Sequence, residues 1–485
     1  MMKPPFVNAA PPPNPLPERE GNSSASTAND PLPTPHSPSI AIVGGGLAGL
    51  AAAVAAVQAG FGVELFEARR RLGGRAGSFR DPQSGHWIDQ CQHIAMGCCT
   101  AWIDFCRRTH IEDCFCRQPQ LHFIGPDGGD YRLRASPLLP APWHLGPALA
   151  RLAYLSWKER WRIARAMGQL ARSPLDDDQE TIAAWLRRHG QSDRAIEQFW
   201  SVILTSALGE TPERASRAAA RKVFVDGFLG SRRAYELYLP RLALDEVYNR
   251  RIAAWLAAHG VIAHLGTRVK RIEGDGLRAS ELVLAGGTRR RFDGYVVAVP
   301  WRQVRGLMSE SLLGGLPGLA SVDQIEPSPI TAVHLWFDRS ITRLGEAVLV
   351  GRLSQWIFRR SGNDPEEAAC GHYYQVVISG SRDLADCDRR EVVRRVCGEL
   401  AALWPAARQA RLLRSRVVTN PQAVFSMRPG IQRLRPPQAT PVENLALAGD
   451  WTSTGWPATM EGAVRSGYLA VAALVSGGQW TVSRG

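Results

Sequence analysis

Apolar and polar positions follow three rhythms along this chain. Residues 40–43 form a continuous apolar run, the pattern of a strand buried on both faces, and residues 63–66 predict a second strand. Between them, Ala, Val and Leu from Leu47 to about Ala59 predict a helix, preceded by Gly44, Gly45 and Gly46 and stopped by Gly60. Helical periodicity returns over 100–109, where Trp102, Ile103 and Cys106 share a face, and over 181–189, 195–208, 215–228, 244–259 and 389–403. The runs 121–124 and 131–133 flank Gly125-Pro126-Asp127-Gly128-Gly129 and predict a β-hairpin. Runs at 261–264, 268–272, 281–284 and 295–299 predict strands that return the chain to its first unit. A denser series at 330–337, 347–350, 355–358 and 372–378 has little helix between its members and predicts an antiparallel sheet, while 416–418 and 423–426 read as extended. A strand at 445–448 and a helix from near Met460 follow, and no internal repeat is present. Residues 1–38, rich in Pro, Ser and Asn, lack the apolar surface to offset their ordering entropy and predict disorder.

Gly44-x-Gly46-x-x-Gly49 sits between the first strand and its helix, where a dinucleotide fingerprint must sit. The first glycine permits the tight turn, the second lets backbone approach a pyrophosphate, and the third lets helix and strand pack closely. The free N–H groups of the helix N-terminus then face the phosphates. Glu67, at the end of the second strand, is placed to accept from ribose hydroxyls, and its charge argues against a 2′-phosphate. Gly73-Gly74-Arg75 follows directly, an addition that nicotinamide domains do not commonly need.

At 485 residues, with 45% apolar and 21% charged positions, the chain has globular composition and room for two or three domains. Its net charge of +13 is carried mostly by Arg. With no nucleic-acid signature and no Lys-rich tail, this balance points to anionic lipid headgroups rather than nucleic acid. No apolar run reaches the roughly 18–20 residues that cross a bilayer, and the first residues lack the apolar core of a signal peptide. The expected location is therefore cytoplasmic, peripheral on the inner face of the cytoplasmic membrane. Residues 137–171 sharpen that expectation: Leu138, Leu139, Trp143, Trp157 and Trp161 are interleaved with Arg151, Lys158, Arg160, Arg162 and Arg165 against the single acid Glu159. Such a stretch suits either a membrane interface or a substrate-domain helix with a solvated basic face. Six of nine cysteines lie between Cys91 and Cys116 without a metal-ligand spacing, so reduced thiols on a helix and no metal site are expected.

The glycine fingerprint, Gly73-Gly74-Arg75 and the C-terminal stretch 444–472, with Gly449-Asp450 and Glu461-Gly462-Ala463, together resemble the FAD-dependent amine oxidase and phytoene desaturase superfamily. That resemblance implies FAD as cofactor, with Gly73, Gly74 and Arg75 near flavin and pyrophosphate and Asp450 on the ribityl or pyrophosphate region. It also implies Glu461, Gly462 and Ala463 beside the flavin ring and the backbone of Val269 at the adenine. The implied fold is α/β (α+β): a Rossmann-type FAD domain built from discontinuous segments, with an inserted substrate domain of antiparallel sheet plus helices. Its division runs 1–38 tail, 39–120 first FAD segment, 121–243 helical substrate or membrane-facing segment, 244–325 second FAD segment, 326–430 substrate-domain sheet, 431–478 third FAD segment and 479–485 tail.

Asp89-Gln90-Cys91-Gln92-His93, Glu210-Thr211-Pro212-Glu213-Arg214 and Tyr238-Leu239-Pro240-Arg241 are similar to the hydroxysqualene dehydroxylases, flavoproteins of bacterial hopanoid pathways. Cys91 stands where that family usually has glycine, and Gly209 where it usually has asparagine. The resemblance implies reductive removal of a hydroxyl from a C30 isoprenoid to give squalene, and it allows contact with neighbouring squalene-pathway enzymes. Such chemistry needs an apolar channel and one proton donor. His93 is the candidate donor because it titrates nearest neutrality, with Asp89 orienting it or serving in its place. Trp456 and Glu210 are candidate substrate-pocket residues, while His334, alternating within a strand, is expected to be a satisfied core residue. A carotenoid desaturase, a flavin amine oxidase and a non-catalytic binder of lipid or prenylated partners are the rival readings.

Overall fold

A computed structural model describes residues 38–83, 85, 87–174, 178–360 and 371–477; the predicted N- and C-terminal tails lie outside the described residues, apart from Pro38. The opening unit forms as its pattern requires: β1 (Ser39–Val43), α1 (Leu47–Gln58) and β2 (Gly62–Glu67). Their sheet is parallel throughout, in the order Ile262–Leu265, β2, β1, Gly294–Val297, Leu445–Leu447. Three separated stretches of chain therefore supply its strands. α1 is buried almost all round, Leu47 to Ala56, because the C-terminal helix Met460–Ser476 covers the side that the sheet does not. Small residues permit this: a Cβ on Gly467 would stand 2.3 Å from the Ala48 carbonyl oxygen. The second end of the chain is thus pressed onto the helix that follows the first glycine loop.

The second body is a seven-stranded sheet, in the order Leu412–Phe425, Pro327–Phe337, His372–Ser379, Trp356–Arg360, Glu346–Leu349, Leu121–Ile124, Asp130–Leu133. All pairings are antiparallel except Val348↔Phe123 and Leu349↔Ile124, where the early hairpin joins in parallel. That hairpin is separated from its neighbour by more than 200 residues, which no local pattern announces. Both faces are covered, so side chains alternate between two apolar layers. Val376, Ile357 and Leu349 meet Val392, Val396 and Leu400 of the helix Arg389–Leu403. Val377, Phe358 and Val348 face Trp200, Phe224 and the inserted helices. Continuous apolar strands are the sequence signature of that double coverage.

Local departures from expectation are instructive. The helical stretches 195–208, 215–228 and 244–259 contain π-helical turns at Ile196–Ser201, Lys222–Leu229 and Asp245–Arg251. Simple 3.6-residue periodicity does not reveal such widening. The basic stretch 137–171 becomes two separate helices, α3 (Gly146–Ala150) and α4 (Trp157–Arg172), started by a Ser156–Glu159 capping box. Of the clustered cysteines only Cys106 lies within the helix Thr100–Arg108; Cys99 precedes it and Cys116 is on a strand. The described cysteines are free thiols, and no described group of His, Cys, Asp and Glu is arranged to hold a metal. No helix among the described residues is long and apolar enough to cross a membrane.

Candidate active site

The glycine loop is shaped by close approach. Gly44 has φ +112°, and a Cβ there would stand 2.4 Å from the Ala298 carbonyl oxygen. A Cβ on Gly49 would lie 1.9 Å from the Gly44 carbonyl oxygen, so only glycine lets the helix start this close to the strand. Gly46 is different: a Cβ there would meet only Gly74 Cα at 4.0 Å, leaving open space before the first turn of α1. That turn has no side-chain cap and no acid, so its N–H groups remain available to an anion. Glu67 closes one side, accepting from Gly45 N at 2.7 Å and Arg69 N at 2.8 Å. The Gly73 N–H donates to the Gly45 carbonyl at 2.9 Å, which docks the Gly73-Gly74-Arg75 turn onto the loop. Thr267 N donates to the Glu67 carbonyl at 2.9 Å and so brings Val269, first residue of the strand Val269–Gly274, beside the end of β2.

The C-terminal segment completes the grip. Arg75 Nη2 donates to Asp450 Oδ1 at 2.6 Å and Nη1 to the Ala423 carbonyl at 2.9 Å. Gly449, at φ +148°, donates its N–H to Ser466 Oγ at 2.7 Å. A residue that sequence reasoning missed holds this loop. Arg435 is buried, and its Nη2 faces the carbonyls of Asp450 at 3.0 Å, Thr452 at 2.6 Å and Trp456 at 2.8 Å, with Thr454 Oγ1 at 3.2 Å. Burial lowers its pKa to about 10, well above neutrality, so it stays charged. Nothing in the local pattern around Arg435 signals this, because the acceptors of its Nη2 follow 15 to 21 residues later.

The Glu461 carboxylate is buried, accepting from Ala101 N at 3.1 Å and Trp102 N at 2.8 Å, where it caps the helix Thr100–Arg108. Burial raises its pKa, and the two N–H bonds oppose that rise. The N–H groups of Gly462 and Ala463 bond back to Thr459, the N-cap of the C-terminal helix, at 3.1 and 3.0 Å. Glu210 is fully buried and bound by Arg382 at 2.7 and 2.9 Å, with Arg214 Nε at 3.3 Å and Ser426 Oγ on its Oε2. This knot ties the end of the helix Val202–Leu208 to the large sheet.

Asp89 does not orient His93. Its Oδ1 accepts from Ser78 Oγ at 2.7 Å and Leu244 N at 2.9 Å, and its Oδ2 from Arg360 Nη2 at 2.8 Å. Arg360, missed in the sequence, also reaches the Pro240 carbonyl at 3.3 Å and so locks the Asp89 turn to the Tyr238-Leu239-Pro240 strand. His93 is half-buried, and its Nδ1 lies 3.0 Å from the Cys91 carbonyl. A carbonyl only accepts, so the proton of the neutral ring sits on Nδ1 and Nε2 keeps a lone pair. Burial lowers the His93 pKa, while the Cys91 carbonyl and the Asp89 charge partly offset this. Cys91 is pushed up to about 12 by burial and is a neutral thiol. Trp456 is half-buried with Lys222 Nζ 4.6 Å from its ring centre, and Lys222 pairs with Asp226 at 2.5 Å. His334 is buried with Nδ1 2.7 Å from Tyr373 Oη, but its Nε2 has no partner, so it is only half satisfied.

An uncapped helix N-terminus behind an open glycine cradle, a carboxylate at the end of β2 and an Arg–Asp clasp from opposite chain ends fit an extended dinucleotide. These define a two-ended flavoprotein grip. The family model for flavin containing amine oxidoreductase matches residues 47–475. The chain belongs to that family; it is an oxidoreductase, and FAD is its cofactor. Among relatives, it is 26% identical to a 15-cis-phytoene desaturase of Glycine max over 93% of this chain and 82% of that protein. It is 27% identical to a hydroxysqualene dehydroxylase of Rhodopseudomonas palustris over 91% of this chain and 100% of that protein. Among solved structures, cyclohexylamine oxidase from Brevibacterium oxydans superposes with TM-score 0.66 at 22% identity, covering 91% of this chain and 99% of that one. Wild-type putrescine oxidase bound to putrescine does so with TM-score 0.66 at 17% identity and the same coverage. At those identities the likeness is one of fold.

Proposed function

We propose that this flavoprotein removes the hydroxyl group of hydroxysqualene reductively to give squalene. The observation that carries the reading is the end-to-end likeness to a hydroxysqualene dehydroxylase, reinforced by the 89–93, 210–214 and 238–241 segments. Cleavage of the C–O bond releases water and consumes one proton, and the carbon left behind gains a hydride. Bound FAD in its reduced form supplies that hydride; the residues of the chain supply the proton and the water-poor surroundings.

His93 is the proton donor in this reading. Its Nδ1–H is held by Cys91, so donation comes from Nε2 of the imidazolium. Because burial lowers its pKa below the usual 6.5, the donating form is present at low pH and is lost as pH rises through that lowered value. Asp89 contributes only its distant charge, since both its oxygens are engaged. Gly74 and Arg75 with Asp450 hold the cofactor, and the loop edge at Trp456 faces the substrate.

A second reading has its own support: phytoene and zeta-carotene desaturases match the chain at comparable identity. The two are separated by products. Reduced, FAD-loaded protein under anaerobic conditions should convert hydroxysqualene to squalene, while oxidised protein should leave phytoene unchanged. Desaturated phytoene with untouched hydroxysqualene would sink the dehydroxylase reading.

A further inference from the structure

Five of the eleven large apolar side chains left exposed among the described residues fall within one short segment. Leu138 is 89% exposed, Trp143 69%, Trp157 68% and Trp161 57%, with Leu139 alongside. The segment is built to present them. Its loop is closed at the base by Ser136 N donating to the His144 carbonyl at 2.8 Å and by Arg232 Nη2 donating to the Ser136 carbonyl at 2.8 Å. Arg160 of α4 donates to the Ala150 carbonyl and ties α4 to α3. In α4, Ile163, Ala166 and Leu170 face the core, so Trp157 and Trp161, one turn apart, lie together on the outer face.

The charge around them has one sign. Arg151, Lys158, Arg162, Arg165 and Arg172 are exposed. Lys158 Nζ lies 5.9 Å from the Trp157 ring centre and the Arg165 guanidinium 5.6 Å from that of Trp161. The single acid, Glu159, is occupied by Ser156 and Ser192 and does not offset them. Amphipathic rings flanked by cations, beside exposed leucines, match the boundary between headgroups and acyl chains of an anionic leaflet. A protein partner would need complementary acids and a shaped surface; a lipid plane needs only this composition.

We infer that residues 138–165 are a docking surface for anionic bilayers, with Leu138, Leu139, Trp143, Trp157 and Trp161 entering the interface and Lys158, Arg162 and Arg165 on lipid phosphates. Docking stands on these side chains alone; uptake of an apolar substrate from the bilayer rests on the isoprenoid reading above. The FAD-loaded full chain is sedimented with phosphatidylcholine vesicles and with vesicles that also contain phosphatidylglycerol. The wild type binds the anionic vesicles with a blue shift of tryptophan emission. The R162Q/R165Q variant binds them on the order of 30-fold more weakly, and W157A/W161A loses the blue shift, both with unchanged FAD content. Equal binding to both vesicle types, or variants that bind as the wild type does, overturns the inference. So does lipid-free self-association that W157A/W161A abolishes, or preferential retention by an oligonucleotide. Vesicle binding without squalene formation sinks the substrate reading alone; squalene formation in detergent without vesicle binding sinks the docking surface alone.

Discussion

Replacing Glu461 by Gln separates a helix cap from a flavin contact. The wild-type carboxylate accepts from Ala101 N and Trp102 N, second and third residues of the helix Thr100–Arg108, at 3.1 and 2.8 Å. A glutamine keeps one acceptor oxygen but turns an amide NH2 toward the other N–H, so one buried donor loses its partner. Losing one charge-assisted bond costs about 1.5–3 kcal/mol, and losing the carboxylate at the positive end of the helix costs roughly a further 0.3–1 kcal/mol. Burial of the ionised group outweighs these charge terms, as its raised pKa shows, so what E461Q leaves at neutral pH is the cost of one unpartnered N–H, about 1 kcal/mol. The sign of the pH dependence follows from the raised pKa. The folded state holds the Glu461 proton more tightly than the unfolded chain, so this residue's contribution to stability falls as pH rises from below the unfolded value of 4.5 through the raised folded value. E461Q lacks that decline, and the stability gap between the two proteins narrows with rising pH across that window. Urea unfolding of the FAD-loaded protein at several pH values, with the flavin spectrum of each sample, measures both. Unchanged stability with a shifted flavin spectrum or a raised FAD Kd would refute the cap and return Glu461 to the cofactor.

Arg435→Met removes the donor that bridges the Asp450, Thr452 and Trp456 carbonyls, although the Thr452 carbonyl keeps Thr454 N and Thr454 Oγ1 keeps Trp456 N, so it should cost about 1–3 kcal/mol and weaken FAD binding by about tenfold; FAD titration of the apoprotein measures the second effect. A variant that binds FAD as the wild type does removes Arg435 from the loop's support. His93→Asn should abolish the low-pH limb of turnover while leaving FAD affinity within about threefold. A pH profile that is flat in both proteins across the range below 6.5 would leave His93 without a proton-transfer role. Arg382→Met, which leaves the buried Glu210 carboxylate to Arg214 at 3.3 Å and Ser426 Oγ, should destabilise the fold by about 1.5–3 kcal/mol in urea without changing the flavin spectrum.

The glycine loop, Glu67 and the Gly73-Gly74-Arg75 turn were legible because each is a local demand of backbone geometry. Gly44 and Gly49 are dictated by atoms that would stand 2.4 and 1.9 Å from any side chain, and such constraints leave an unmistakable mark at fixed spacing. The apolar strands of the large sheet were legible for a similar reason: coverage on both faces leaves few polar positions, Thr331, His334 and Gln375 among them.

What the carboxylates do was not legible. Asp89, Glu210 and Glu461 are three acids in motif-like settings, candidates in turn for catalysis, the substrate pocket and the cofactor. The fold gives them to Arg360, to Arg382 and to two helical N–H groups, partners 271, 172 and 360 or fewer residues away. A buried charge takes its meaning from whatever neutralises it, and that partner arrives by tertiary packing from an unrelated stretch of chain. Backbone shape is written locally; the assignment of a charge is made only when distant segments meet.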